Sequence, residues 1–486
     1  MKKVFLSFCL AALALLPVNA RAQGFFVDVN CDGEVNIADI NMVIDYILHG
    51  NTSNPIDMSK TYLSAKDFGA VGDGVTDDTQ ALENLFDAAF LLKKAVFFDP
   101  GVYVIRRSLT LRTGMEVYGD KAVIKKRAAA TTMLASEALK DQTFVDVVSV
   151  EGFNVGDQFV IADNAGANWC TYGIITEIKD NRIFFSNIIS DSQSNYPGCV
   201  RTYKAGLKVS TSFALLRSWA SRFDCDGVYI HDLTLDGNRT VIEPRVWANS
   251  CIHMDSYCAG GYVGSSGIAY SHPQRNLTAR DLVIKNSPSD AISDQSEGGL
   301  IVRDCYFENG AMHGVHLGTV FTGAVISKNK MVGNGDRGSG VFFCQEVTDV
   351  IIDNNQILSF NHGCSDEEFG SAGKFITIRN NFFNDIRGYV FDFMKATSDA
   401  RGGGLQISNN RIEGLSQSIF AGNWLDNVIF SNNVVKSVTR APASVVEVTN
   451  CDNVIISGNV MPDSSGSQSV NATSTTNLID DRNSWN

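Results

Sequence analysis

The chain has 486 residues, of which 44 % are hydrophobic, 10 % aromatic and 19 % charged, and its formal net charge is −13. That length is ample for one elongated core. The acidity argues against nucleic acid and against anionic membrane surfaces as partners.

Lys2 and Lys3, the apolar residues 4–17 and the Ala20-Arg21-Ala22 step read as a secretory signal peptide over residues 1–22. Its apolar run is too short to span a bilayer, and no other stretch reaches that length, so no transmembrane segment is expected. The chain then reads as exported, to the periplasm, the cell surface or the medium. Export permits disulfides, and Cys251–Cys258 and Cys170–Cys199 are the cysteine pairs nearest in sequence outside the repeats. Cys305, Cys344 and Cys364 occupy repeat positions where buried thiols fit.

Residues 24–50 form a small module. Asp28, Asn30, Asp32, Glu34, Asn36 and Asp39 fall at loop positions 1, 3, 5, 7, 9 and 12, and Gly33 falls at the sharp-turn position 6. Ca²⁺ takes six to eight oxygen ligands, so this spacing predicts one calcium ion, with Glu34 offering its carbonyl. Ile40, Val43, Ile44 and Ile47 then share one face of a helix. The segment resembles a single dockerin repeat, which implies a cohesin-like or cell-surface partner. Residues 51–60 read as a linker to a long domain, 61–486.

That domain opens with Asp67-Phe-Gly69-Ala-Val-Gly72-Asp73-Gly74 and runs on to Asp77-Asp78-Thr-Gln80. Three turn glycines precede a helix expected over 76–92, capped by Thr76 or Asp77. Leu82, Leu85, Phe86, Ala89 and Leu92 form its apolar stripe. A solenoid end exposes strand edges, so a covering amphipathic helix is expected there. Residues 143–200 alternate as short strands and turns and predict an inserted β-subdomain. A second excursion, 237–265, carries Trp247, read either as a packing residue or as a sugar-stacking platform.

From residue 228 onward the chain repeats. Short β-branched runs each carry an Asp or Asn at one place: Asp232, Asp281, Asp304, Asn329, Asn355, Asn381, Asn410, Asn433 and Asn459. From Asp281 the spacings are 23, 25, 26, 26, 29, 23 and 26 residues. A strand-rich period in the twenties predicts a solenoid whose units bury apolar faces by stacking. Leucine-rich repeats are excluded by the absence of Leu-x-x-Leu-x-Leu. Asn suits both a left-handed corner and an amide ladder between coils. The expectation is therefore an all-β, parallel β-helix, right-handed by the general rule for parallel connections.

The 64–120 stretch resembles the N-terminal signature of the pectate-lyase-like β-helix superfamily, and the coils from 228 resemble it in style. That resemblance implies a right-handed parallel β-helix and commonly an enzyme acting on polysaccharide. The calcium pectate lyase, polygalacturonase and alginate epimerase motifs are absent.

Registering the coils sets Ser266, Asp290, His313, Ser339, His362 and Arg387 in one outward column, and Ala269, Ser293, His316, Phe342 and Ser365 in a second. A one-residue slip would reverse which side chains face out. Four of the seven histidines, His272, His313, His316 and His362, lie in this window. A His/Tyr pair suits β-elimination from a uronic acid, one group removing the C5 proton and another protonating the leaving oxygen. The catalytic candidates are His313, His316, Tyr270, His272 and Asp290; Trp247, Gln295, His362 and Arg387 are candidates for binding. Arg387, Arg337, Gln295 or a groove-bound Ca²⁺ would neutralise the substrate carboxylate. Glu346, Asp366, Glu367, Glu368 and Asp392 form an acidic cluster in which Glu367 and Asp392 share a column, suited to a glycosidase or to calcium. The leading expectation is a lyase acting on an acidic polysaccharide. A glycoside hydrolase with paired carboxylates and a non-catalytic carbohydrate-binding or adhesive solenoid are the alternatives.

Overall fold

A computed structural model describes residues 59–162, 170–189, 202–220, 223–255, 272–318, 320–335, 337–344, 346–366, 373–440, 442–461 and 468–485. The predicted calcium loop, Tyr270, Glu367 and Glu368 lie outside them.

Three parallel sheets wind around one core. The first has thirteen strands from Tyr62–Ser64 to Thr476–Asp481, and the second thirteen from Asp73–Asp77 to Ser484–Trp485. The third has eleven, from Leu109–Thr110 to Gln468–Thr473. Alternation places one column per strand inside: Val302, Ile326, Ile352, Ile378, Ile407, Phe430 and Ile456 pair in register and are fully buried. Each such side chain contributes about 1.5–3 kcal/mol by leaving water.

The Asp/Asn column of the sequence proves to be two adjacent columns. Asp232, Asp281, Asp304, Lys328, Asn354, Asn380, Asn409, Asn432 and Gly458 take left-handed backbone, with φ between 50° and 67°. The residue after each turns inward: first Leu233, Leu282 and Cys305, then the buried Asn329, Asn355, Asn381, Asn410, Asn433 and Asn459. Each of these Asn side chains donates through Nδ2 to Oδ1 of its counterpart in the next coil, at 2.9–3.1 Å, ending on Asn483. Nδ2 also donates to a carbonyl of the preceding coil, as from Asn381 to Ile352 at 2.9 Å. Corner-forming and laddering therefore fall to successive residues. The aspartates belong to the corner, because a buried carboxylate has no N–H with which to continue an amide ladder.

Helix α1 (Thr79–Leu92) caps the open end of the coil. It starts three residues later than expected, because Thr76 and Asp77 complete the strand Asp73–Asp77 beside Val102 and Val104. Asp77 Oδ1 still accepts the Thr79 N–H at 3.1 Å, while the Asp78 carboxylate turns back to the Val71 and Gly72 N–H groups. Leu82, Leu85, Phe86 and Ala89 are buried, and Leu92 is exposed.

The inserted subdomain is a six-stranded sheet with antiparallel pairings, ordered Thr131–Met133, Lys208–Ser210, Gln158–Ala162, Cys170–Lys179, Arg182–Ile189 and Phe144–Asp146. Its strands thus begin before 143 and end after 200. Phe159, Ile161, Ile175, Ile183, Phe185 and Val209 fill its core. A second cluster joins Val160, Ala162, Cys170 and Tyr172 to Val246 and Ala248, so this part of the 237–265 excursion packs against the subdomain. Cys251 is a free, buried thiol with its Sγ 4.0 Å from the Lys285 carbonyl oxygen, while Cys258 and Cys199 lie outside the described residues. Cys305 and Cys364 are buried thiols, as expected.

Candidate active site

The outer face of the third sheet carries the column Arg217, His253, Ser293, His316, Phe342, Ser365, Asp392, Ala421, Glu447 and Asn471, one per coil. The expected order from Ser293 to Ser365 matches this register. Towards α1 the face is closed. Arg217 lies between the Tyr172 and Trp219 rings, 4.7 and 3.9 Å from their centroids, and both Arg217 and His253 are fully buried.

Past Ser293 the chemistry gathers. Asp290 Oδ1 accepts the His313 N–H at 3.0 Å, and Oδ2 lies 3.0 Å from His316 Nδ1. Burial opposes ionisation of both partners. Their mutual hydrogen bond and charge overcome it, holding the Asp290 carboxyl below its usual range and raising His316 well above the ordinary imidazole value. His316 is therefore an imidazolium at neutral pH, and its buried Nε2 makes no hydrogen bond to oxygen or nitrogen. His313 behaves in the opposite way. Burial pushes it down to about 4, against the pull of Asp290. Its Nδ1 accepts the Ser339 N–H at 3.0 Å, and its ring stacks on Phe342 at 4.1 Å. With that lone pair occupied and its other nitrogen protonated, neutral His313 is not the proton acceptor that the sequence suggested. Both histidines are buried, with 7 % and 8 % exposure, so they are not the surface groups expected.

Two coils further on, the face opens. His362 Nδ1 lies 3.5 Å from Asp392 Oδ2, and the Tyr389 ring stacks over the imidazole with centroids 6.4 Å apart. Burial, reinforced by the Lys395 charge and opposed by Asp392, lowers His362 and leaves it neutral at pH 7. Burial raises Asp392, and raises Asp366 well above the carboxylate range; Asp392's own charge adds to the effect on Asp366. Burial and the Glu447 charge raise Tyr389, which keeps its phenolic proton. Asp366 pairs with Phe343 on the inward side of the strand and is 5 % exposed.

Other expected residues do not join this group. His272 precedes a first-sheet strand and pairs with Asp224 at 2.8 Å. Gln295 spends its amide on Ser293 Oγ at 3.2 Å. Trp247 begins a short 3-10 helix, Trp247–Asn249. Arg387 is out of register: Ser365 pairs with Asp392, which sets His362 level with Tyr389, two residues past Arg387, and the Gly388 N–H bonds the Asn361 carbonyl of the preceding coil at 2.6 Å. Asp392 pairs with Ser365, not with Glu367. Among the described residues no three His, Cys, Asp or Glu side chains converge as a metal site. Tyr389, Lys395 and Glu447 were missed. Glu447 had a signal, as the one charge in the alternating Val446-Glu447-Val448 strand; Tyr389 and Lys395 had none outside three dimensions.

A family model described as "Rhamnogalacturonase A/epimerase, pectate lyase-like" matches residues 62–146, and "Right handed beta helix region" matches 266–435. A glucan 1,3-beta-glucosidase of Cochliobolus carbonum is 36 % identical over 62 residues, 13 % of this chain and 8 % of that protein. The plasmin and fibronectin-binding protein A of Streptococcus pneumoniae is 43 % identical over 68 residues, 13 % of this chain and 9 % of that protein. The matches span only 5–9 % of the length of the curated relatives. Among solved structures, an exopolygalacturonase from Thermotoga maritima aligns over 90 % of this chain and 92 % of its own, with 11 % identity and a TM-score of 0.43. The A-module of the mannuronan C-5 epimerase AlgE6 of Azotobacter vinelandii aligns over 86 % and 99 %, with 16 % identity and a TM-score of 0.44. With two family models over its coils and three parallel sheets around one core, the chain is a right-handed parallel β-helix protein, similar over residues 62–146 to pectate-lyase-like proteins.

Proposed function

We propose that the chain is an enzyme that cleaves a uronate-containing polysaccharide by β-elimination on the outer face of the third sheet. The observation that carries this reading is the His362–Tyr389 pair on the open part of that face: a neutral imidazole stacked with a phenol that keeps its proton. His362 takes the C5 proton; the C4–C5 double bond forms as the C4–O4 bond breaks, and Tyr389 protonates O4. Lys395, whose charge reaches His362, Asp366 and Asp392, offsets the substrate carboxylate. The matched family description and the relatives named for glucan hydrolysis support a polysaccharide as the substrate class.

One observation favours a second reading. Asp392 and Glu447 stand in one outward column with only Ala421 between them, about 10 Å apart by the sheet spacing. That separation suits the acid and base of an inverting glycosidase. Acidic polysaccharides incubated with the chain decide between the two. New near-ultraviolet absorbance from an unsaturated uronate supports elimination, reducing ends without it support hydrolysis, and neither outcome leaves a binding or adhesive solenoid. We also propose that the loop bearing Asp28, Asn30, Asp32, Glu34, Asn36 and Asp39 binds Ca²⁺ and tethers the exported protein to a cohesin-like or cell-surface partner.

A further inference from the structure

Where each coil enters the first sheet, one residue must adopt left-handed backbone. Registered through the residues before them, these positions are Gly299, Gly323, Asp349, Phe375, Gly404, Asn427 and Asn453. Their φ values run from 54° to 84°. All but one are Gly, Asn or Asp, the residues that tolerate this conformation. The exception is Phe375, at φ 56°.

Nothing in the packing calls for a phenylalanine. Phe375 is 64 % exposed, so burial returns little for the strain. The coil above accommodates the ring. A Cβ on Gly404 would lie 2.8 Å from Phe375 Cδ1, so the ring rests over that glycine. Asp349, one coil before it in the same column, Lys374, its chain neighbour, and Asn427, two coils after it, are all exposed polar residues. An aromatic face with a polar rim is what a pyranose ring meets in a saccharide site: its C–H face covers the ring while its hydroxyls reach the rim.

We propose that Phe375 is a saccharide-stacking subsite outside the acid–base centre, holding one sugar of the same polymer; this rests on the polysaccharide reading above. The strained position is retained for binding at a cost in stability. The test uses the full chain and the acidic polysaccharides named above. Phe375→Asn places at this corner the residue that other coils use. It should raise the melting temperature, by roughly 1–2 °C for a chain of this size. It should weaken polymer binding roughly three- to tenfold, the effect of losing one aromatic stack. Turnover of a short oligosaccharide confined to the acid–base centre should not change, and Phe375→Tyr should keep wild-type binding. The subsite is overturned if Phe375→Asn binds polymer like wild type, if it melts lower, or if the wild type proves to be a dimer that this substitution dissociates. A wild-type chain that binds none of the polymers overturns the polysaccharide reading, and the subsite with it.

Discussion

The inward Asn ladder and the outer face of the third sheet are built on the same coils and obey opposite rules. In the ladder every coil repeats one residue, and each amide is satisfied by the coils on either side. On the face no two neighbours from Ser293 to Glu447 are alike, and among the described residues Asp392 Oδ1 is buried without a hydrogen bond. Repetition is how stacking satisfies buried groups. Departure from it, at sites where polar groups are left waiting, marks where a ligand can supply the missing contact.

The two regions should therefore fail differently. The largest expected effect is on catalysis. His362→Ala should lower turnover by about 10²–10⁴ while the melting temperature stays close to wild type, read by product formation alongside a thermal scan. Retention of full turnover would move the centre elsewhere on the face. His316→Ala should act on stability as well, unlike a truncation at a surface site. It strands the Asp290 carboxylate in the interior, at a cost of about 3–5 kcal/mol in denaturant unfolding. Unfolding that matches wild type would show that the pair is not a buried one.

In the ladder, Asn381→Leu leaves the Asn355 side chain and the Asn410 carboxamide each short of a partner. About 1–3 kcal/mol per orphaned group should be lost, with turnover per folded molecule unchanged. The pH dependence gives a smaller, graded test. His313 folds with its pKa lowered to about 4, below the unfolded value near 6.5, so it holds fewer protons folded than unfolded as the pH falls through that window. Stability should drop between about pH 6.5 and 4, by on the order of 3 kcal/mol at the limit, and His313→Gln should flatten that limb of a melting-temperature profile. Smallest for the long domain is calcium: a peptide of residues 24–50 should gain order on adding Ca²⁺ and lose it on chelation, while the melting of residues 57–486 alone is unmoved.

Much of the scaffold was legible because stacking imposes a period. Asn329, Asn355, Asn381, Asn410, Asn433 and Asn459 could be aligned by eye, and the helix stripe from Leu82 to Ala89 followed from spacing alone. The column Ser293, His316, Phe342 and Ser365 was placed correctly for the same reason. Two errors, Arg387 for Tyr389 and Glu367 for Ser365, arose where a turn changed length between coils, which a fixed register cannot anticipate. The histidine roles were legible only in part. Sequence put Asp290 beside His313, but did not show that its Oδ2 meets His316 instead, nor that the Ser339 N–H occupies the His313 lone pair.

The sequence by itself determined the solenoid, its period, the capping helix and the stretch of coils where polar chemistry gathers, because each of these is a local or periodic constraint written along the chain. Tertiary structure alone decided that His316 is an imidazolium while His313 is neutral, that Tyr389 faces His362, and that Phe375 occupies a corner meant for glycine or asparagine. Protonation, stacking and backbone strain depend on which atoms of different coils come within a few ångströms of one another, and residues some 25 positions apart carry no mark of that until the coils are wound.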